Sequence, residues 1–247
     1  TGHQAEFWHP GILAKYLAAD AAAGVIEADV AWLVVDQDRP EAVTVRYPVQ
    51  DAQGRLTARS WILERGRAMS PLGSLPDTDH VAACVRAGLD EIGSVMSRHA
   101  SEVTLPRQVA AGIGDLLHPL LRHRTAPPTI FATELNRTVL FRELADRMAR
   151  EPERCVGAYN AAVARHSSAG MRPLLADDIQ DRFELPLWWL PPGGPRQHVY
   201  AEMLGQIPLS ELAPKALFMT GLLRLAGCDL FIHGTGGGGA EGEAAHE

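Results

Sequence analysis

Cysteine is scarce in this chain, with three in 247 residues. Cys84, Cys155 and Cys228 are odd in number and widely spaced, each in or beside an apolar helix pattern. That excludes a disulfide framework and a zinc site built on cysteine pairs, and it fits three core thiols in a reducing compartment. No apolar run approaches the length of a membrane span, and the residues present form no signal-peptide pattern. Cytoplasm is the expectation, with no membrane partner. An excess of positive charge is also missing, since 23 Lys and Arg face 30 Asp and Glu for a net charge of −7. This argues against nucleic acid and favours a small-molecule substrate. No Ser or Cys stands with a spaced His and acid as a nucleophilic triad would need. There is no internal repeat, no initiator Met, and no strand ahead of the opening turn, so the chain is expected to be truncated at its N-terminus.

What remains is enough apolar material for a core, because 46% of residues are hydrophobic and 21% charged. Ile12 to Ala23 is Ala-rich with Ile12, Leu13, Tyr16 and Leu17 on one face, which predicts a helix ending near Gly24. Asp29 to Val35 is a continuous apolar run, the pattern of a strand buried on both faces of a parallel sheet. Val43 to Pro48 and Leu56 to Leu63 alternate about a turn at Asp51 to Gly54 and predict a hairpin. From 79 to 168 helical patterns take over, at Val81 to Ser97, Leu105 to His123, Thr138 to Ala149 and Pro152 to Ala164. They read as a helical insertion within a single domain spanning 1–247. Strand character returns at Leu185 to Leu190. A turn at Pro191 to Pro195 follows, then a helix from Gln197 to Leu204, a helix from Ala216 to Ala226, and a strand from Asp229 to His233. Strands alternating with helices predict an α/β fold with a mostly parallel sheet.

In such sheets ligands collect at the carboxyl ends of the strands, and four polar clusters fall there. The first is Gly2-His3-Gln4, running through His9 and Pro10 into a helix whose N-terminus offers free N–H groups to an anion. His9 is a modest cap and Pro10 suits the first helical position. Lys15 either reaches back to a phosphate or carboxylate or is a solvated surface lysine. The second cluster is Asp36-Gln37-Asp38. Two carboxylates at i and i+2 suit a divalent cation on nucleotide phosphates, substrate hydroxyls, or a solvated turn. The third is Gly193-Gly194, and the fourth is His233 with the glycines after it. Gly234, Gly236 and Gly239 match a dinucleotide fingerprint as a string, but no helix pattern follows them. His3 and His9 with Asp36, Asp38 or His233 lack zinc-type spacing, so no metal ligand is assigned. Arg172 offers a fork for carboxylate or phosphate, with Asp177 or Asp178 binding an amine or clamping that arginine. Trp8 and Trp188-Trp189 are either pocket lining or core.

Taken in order, these segments resemble the bacillithiol synthase family, the cysteine-adding ligases of bacillithiol biosynthesis. The family's Gly-Gln-Gln turn is similar to Thr1-Gly2-His3-Gln4, with His3 in place of Gln. Its strand ending in an acidic turn is similar to Trp32 through Asp38. Its Arg-Pro segment, Leu-Pro strand and Gly-Gly-Pro turn are similar to Arg172-Pro173-Leu174, Leu185-Pro186 and Gly193-Gly194-Pro195, and Pro214-Lys215-Ala216 is similar to a later Pro-Arg element. The resemblance implies a Rossmann-like three-layer core, cysteine and glucosaminyl malate as substrates, and ATP or another nucleotide, with Mg²⁺ as a compatible ion. Under it, Gly2, His3 and Gln4 hold phosphate or carboxylate, Asp36 and Asp38 orient the amine or Mg²⁺, and Arg172 neutralises developing charge. Family members are longer and dimerise through a C-terminal coiled coil for which this chain has no room. It therefore reads as a shortened relative, with a homodimer as an expectation, or as a protein with another task. Two other readings stay open: a Mn²⁺-dependent sugar-nucleotide glycosyltransferase, for its Asp-x-Asp, and a non-catalytic relative that binds a small ligand.

Overall fold

The computed structural model describes residues 1–5, 7, 10–37, 42–65, 82, 84–86, 88–122, 127–166, 171–177 and 182–232. The chain divides into two compact units, Thr1–Ile130 with Pro192–Pro195, and Phe131–Pro191 with the chain from Arg196 onward.

The first unit holds a three-strand sheet in the order β1 (Gly2–Gln4), β2 (Trp32–Val35), β5 (Thr129–Phe131). β1 and β2 are parallel and are joined through α1 (Pro10–Ile26), the crossover that a parallel pair requires. Pro10 occupies the first helical position, where its missing N–H costs nothing. Trp32, Leu33 and Val34 are almost wholly buried, as the unbroken apolar run of β2 demands. The Trp32 indole meets the buried Tyr16 ring edge-on at 5.2 Å, fixing α1 to the sheet. The hairpin forms as the alternation predicts, from β3 (Ala42–Gln50) and β4 (Leu56–Arg65). Its turn is held by Asp51 Oδ1, which accepts from the N–H groups of Gln53 and Arg55, and by Gly54, whose φ of +78° only glycine takes without strain. α2 (Asp90–Arg98) and α3 (Leu105–Leu117) complete this unit, with Thr104 capping α3 by accepting the Arg107 N–H. Met96, Leu105, Val109, Ile113 and Leu117 join Tyr16 and Trp32 in one core.

In the second unit the central strand is β7 (Arg182–Trp189). It pairs antiparallel with β6 (Ala176–Asp177), β8 (Gln197–Tyr200) and β9 (Leu212–Pro214). Phe183, Leu185 and Leu187 are buried, so one face of β7 is core and the alternate residues point the other way. α4 (Val139–Arg150), α5 (Pro152–Arg165), the short α6 (Ala201–Leu204) and α7 (Ala216–Leu222) supply Phe141, Met148, Val156, Leu204 and Leu222 to the cores of this unit. Thr138 caps α4 through the Phe141 N–H, and buried Asn136 donates to the carbonyls of Ser210 and Leu212.

Three expectations change. The strand at Leu185 to Leu190 lies in an antiparallel sheet, because short turns rather than helical crossovers join its neighbours. The parallel arrangement is confined to the three-strand sheet. Gln197 to Tyr200 is a strand rather than the start of a helix, drawn into pairing with β7 and burying Val199, with only Ala201 to Leu204 helical. Asp229 to Ile232 forms no strand: α7 runs on into a π-helical turn at Leu223–Gly227, and Leu230 beyond it is exposed. The helices found between 79 and 168 are shared, α2 and α3 in the first unit, α4 and α5 in the second.

Candidate functional site

Gly2 lies opposite Leu33, His3 opposite Val34 and Gln4 opposite Val35, so β1 and β2 end at one edge of the sheet. Just past that edge Asp36 and Gln37 are each 2% exposed. A carboxylate and a carboxamide buried there are not a solvated turn, and both are engaged by other groups of the protein. Gln4 is exposed, while His3 is half-buried on the register pair with Val34.

Gly2 answers to packing. A Cβ there would stand 2.8 Å from Leu33 Cβ, so the strands approach where no side chain fits. Lys15 does not extend along the surface. Its ammonium donates to the Gly2 carbonyl at 2.5 Å and lies 5.6 Å from the centre of the Tyr16 ring. Burial lowers the Lys15 pKa from the ordinary lysine value. The second turn of α1 is thus tied by charge to the start of β1, beside the strand pair that carries Asp36.

Gly2, His3, Gln4, Lys15 and Asp36 all belong to the first unit. His9, Asp38, Asp178 and His233 lie outside the described residues. Arg172 and Asp177 belong to the second unit, Arg172 exposed and Asp177 on β6 opposite Arg182. Gly193, with a φ of +72°, makes the turn between β7 and β8 and is exposed, and Gly194 follows it half-buried. Among the described residues no group of three or more His, Cys, Asp or Glu side chains is placed to hold a metal ion. The three thiols are free, and burial pushes the pKa of each upward.

The second unit holds a polar cluster that sequence reasoning missed. Glu184 on β7 takes a hydrogen bond from Lys215 Nζ on Oε1, and the same oxygen lies 2.5 Å from His198 Nδ1. Its Oε2 accepts the Leu175 N–H at 3.1 Å. Lys215 is 8% exposed, and its ammonium stands 4.7 Å from the centre of the Trp188 ring. That ring also meets the His198 imidazole at 4.8 Å and the Arg196 guanidinium at 4.3 Å. Burial alone would raise the Glu184 carboxyl, but the hydrogen bonds from Lys215, Leu175 and His198, with the Lys215 charge, outweigh it and hold the carboxyl below the ordinary range. Burial pulls the Lys215 ammonium down, against the pull of Glu184 and with Arg196 adding repulsion. The available signal was alternation: Glu184 and Trp188 fall on the β7 face opposite Phe183, Leu185 and Leu187. A lysine directly ahead of an apolar helix was the second hint.

The described chain is therefore a mixed α/β protein with a small parallel three-strand sheet and helices, and none of its described helices is long and apolar enough to cross a membrane. No protein-family model and no curated protein matches it.

Proposed function

We propose that the protein is a carbon–nitrogen bond-forming ligase of the bacillithiol synthase kind, joining the carboxyl of cysteine to the amine of glucosaminyl malate. The observation that carries this reading is the buried Asp36-Gln37 pair at the carboxyl edge of a parallel sheet, the place where open α/β sheets bind ligands. The order of the segments along the chain, from Gly2-His3-Gln4 to Pro214-Lys215, supports it further.

Amide formation in water needs an activated carboxyl, and a nucleotide, when bound, supplies that activation. The chain's own residues bind and orient. Asp36 accepts from the amine of the acceptor, Gln37 and Gln4 supply neutral donors and acceptors, and the N-terminus of α1 faces an anionic group. Lys15 holds β1 against α1 so that these groups keep their spacing. A buried carboxylate and carboxamide suit an amine or hydroxyl better than a bare cation, and the described residues supply no further ligands for a metal.

The test is nucleotide consumption coupled to product formation, with cysteine and glucosaminyl malate, in the native chain and in Asp36→Ala. Loss of about a hundredfold or more in turnover at an unchanged melting temperature is expected, the size of a lost charge-stabilising group. Full activity in Asp36→Ala removes that residue from the mechanism. Absence of turnover, with a melting shift on glucosaminyl malate, identifies a binding protein without catalysis. A shift confined to a sugar nucleotide with Mn²⁺ identifies glycosyl transfer instead.

A further inference from the structure

Three groups on three strands meet on the polar face of β7, and they do so away from the sheet edge described above. Glu184 has no spare capacity, since Oε1 is shared by Lys215 and His198 and Oε2 is taken by the Leu175 N–H. It is a positioning residue. The His198 Nδ1 is 2.5 Å from the carboxylate and 3.4 Å from the Lys215 ammonium, so the shorter contact assigns the Nδ1 proton to the Glu184 bond. The neutral ring then carries its lone pair on Nε2. Among the described residues Nε2 makes no hydrogen bond, and the His198 side chain is 52% exposed. Trp188 packs against the ring and fixes its plane. A base presented outward on one nitrogen and held by a carboxylate on the other is the arrangement that proton transfer requires.

The charge around it defines the ligand. Arg196 and Lys215 both lie over the Trp188 ring, and Arg196 disfavours the Lys215 ammonium, so two cations share one carboxylate already bonded on both oxygens. Such a face attracts a small anion. We propose that His198 is the proton-accepting group of a second small-molecule site, one that takes a carboxylate bearing an adjacent amino or hydroxyl group. The carboxylate lies toward Arg196, and the neighbouring ammonium or hydroxyl gives its proton to Nε2. No bond to carbon forms or breaks in that step. The imidazolium it leaves keeps its Nδ1–H on Glu184, whose charge stabilises it.

The test is nuclear magnetic resonance of the full-length chain with ¹⁵N-labelled histidine, the His198 signals being assigned from His198→Gln. The expected ring has its proton on Nδ1 and responds saturably to glycine and to glycolate, but about tenfold more weakly to acetate and not to ethylamine, since a charge-assisted hydrogen bond is lost in each. Arg196→Gln, a half-exposed position, should weaken glycine and glycolate about tenfold while leaving the tautomer unchanged. Glu184→Gln should release the tautomer. A purely structural histidine would show neither ligand response. A wild-type ring protonated on Nε2, no saturable response to glycine or glycolate, or equal binding by Arg196→Gln would each overturn the proposal.

Discussion

Replacing Lys215 by Met keeps most of the stem that packs over Trp188 and removes only the charge and its hydrogen bonds. The side chains of Lys215 and Glu184 are 9% and 12% exposed, so the change strands a carboxylate in a site that water barely reaches. Removing one partner of a buried pair costs about 3–5 kcal/mol. Glu184 keeps the Leu175 N–H and His198, so the lower part of that range applies, about 2–3 kcal/mol, or roughly a 30- to 150-fold change in the opening equilibrium. Glu184→Gln strands the ammonium in the same way. The double variant strands neither charge and should cost less than the two single changes together, by about 1.5–3 kcal/mol. Amide hydrogen exchange over residues 182–189 reads this directly, because it follows opening of β7 without requiring the two units to unfold together. Exchange in Lys215→Met within about threefold of wild type, or strict additivity in the double variant, would refute the reasoning.

Two further outcomes follow from single contacts. Gly2→Ala forces a Cβ to 2.8 Å from Leu33 Cβ and should destabilise the β1–β2 pair by about 1–3 kcal/mol, seen as faster exchange over residues 32–35; unchanged exchange would mean that β1 shifts freely. The Glu184 carboxyl is held below its ordinary value of about 4.3, so its contribution to stability is present above that pH and is lost as pH falls through the lower folded value. Acid unfolding followed by circular dichroism should therefore be less steep in Glu184→Gln, and an identical acid limb would exclude the carboxylate as its source.

Local pattern carried the sequence reading wherever neighbours in the chain decide the structure. The hairpin, α1 from Pro10, and the helices after Thr104, Thr138 and Glu151 follow from alternation, caps and proline positions. The burial of Asp36 follows from its place after an unbroken apolar strand. The reading failed where long-range pairing overrode local preference. Gln197 to Tyr200 carries no strong strand propensity, yet β7 draws it into a ladder that buries Val199. Leu230-Phe231-Ile232 reads as a strand but has no strand partner there, so it stays irregular.

The Glu184 cluster shows why such a site leaves no motif. Trp188 pairs with His198, and a straight antiparallel ladder from that pair would set Glu184 opposite Glu202. Instead the register shifts between Glu184 and Trp188, and Glu184 faces Tyr200. Pro186, which has no N–H to give a ladder, lies inside the irregular stretch, and its carbonyl takes the Lys215 N–H. That bond delivers the lysine to the same face. The shift exchanges a pair of facing carboxylates for a carboxylate within reach of an imidazole and an ammonium. Alternation predicts which face Glu184 occupies, but the shift decides what it meets there. The cluster therefore depends on a local break in β7 as much as on its three polar residues.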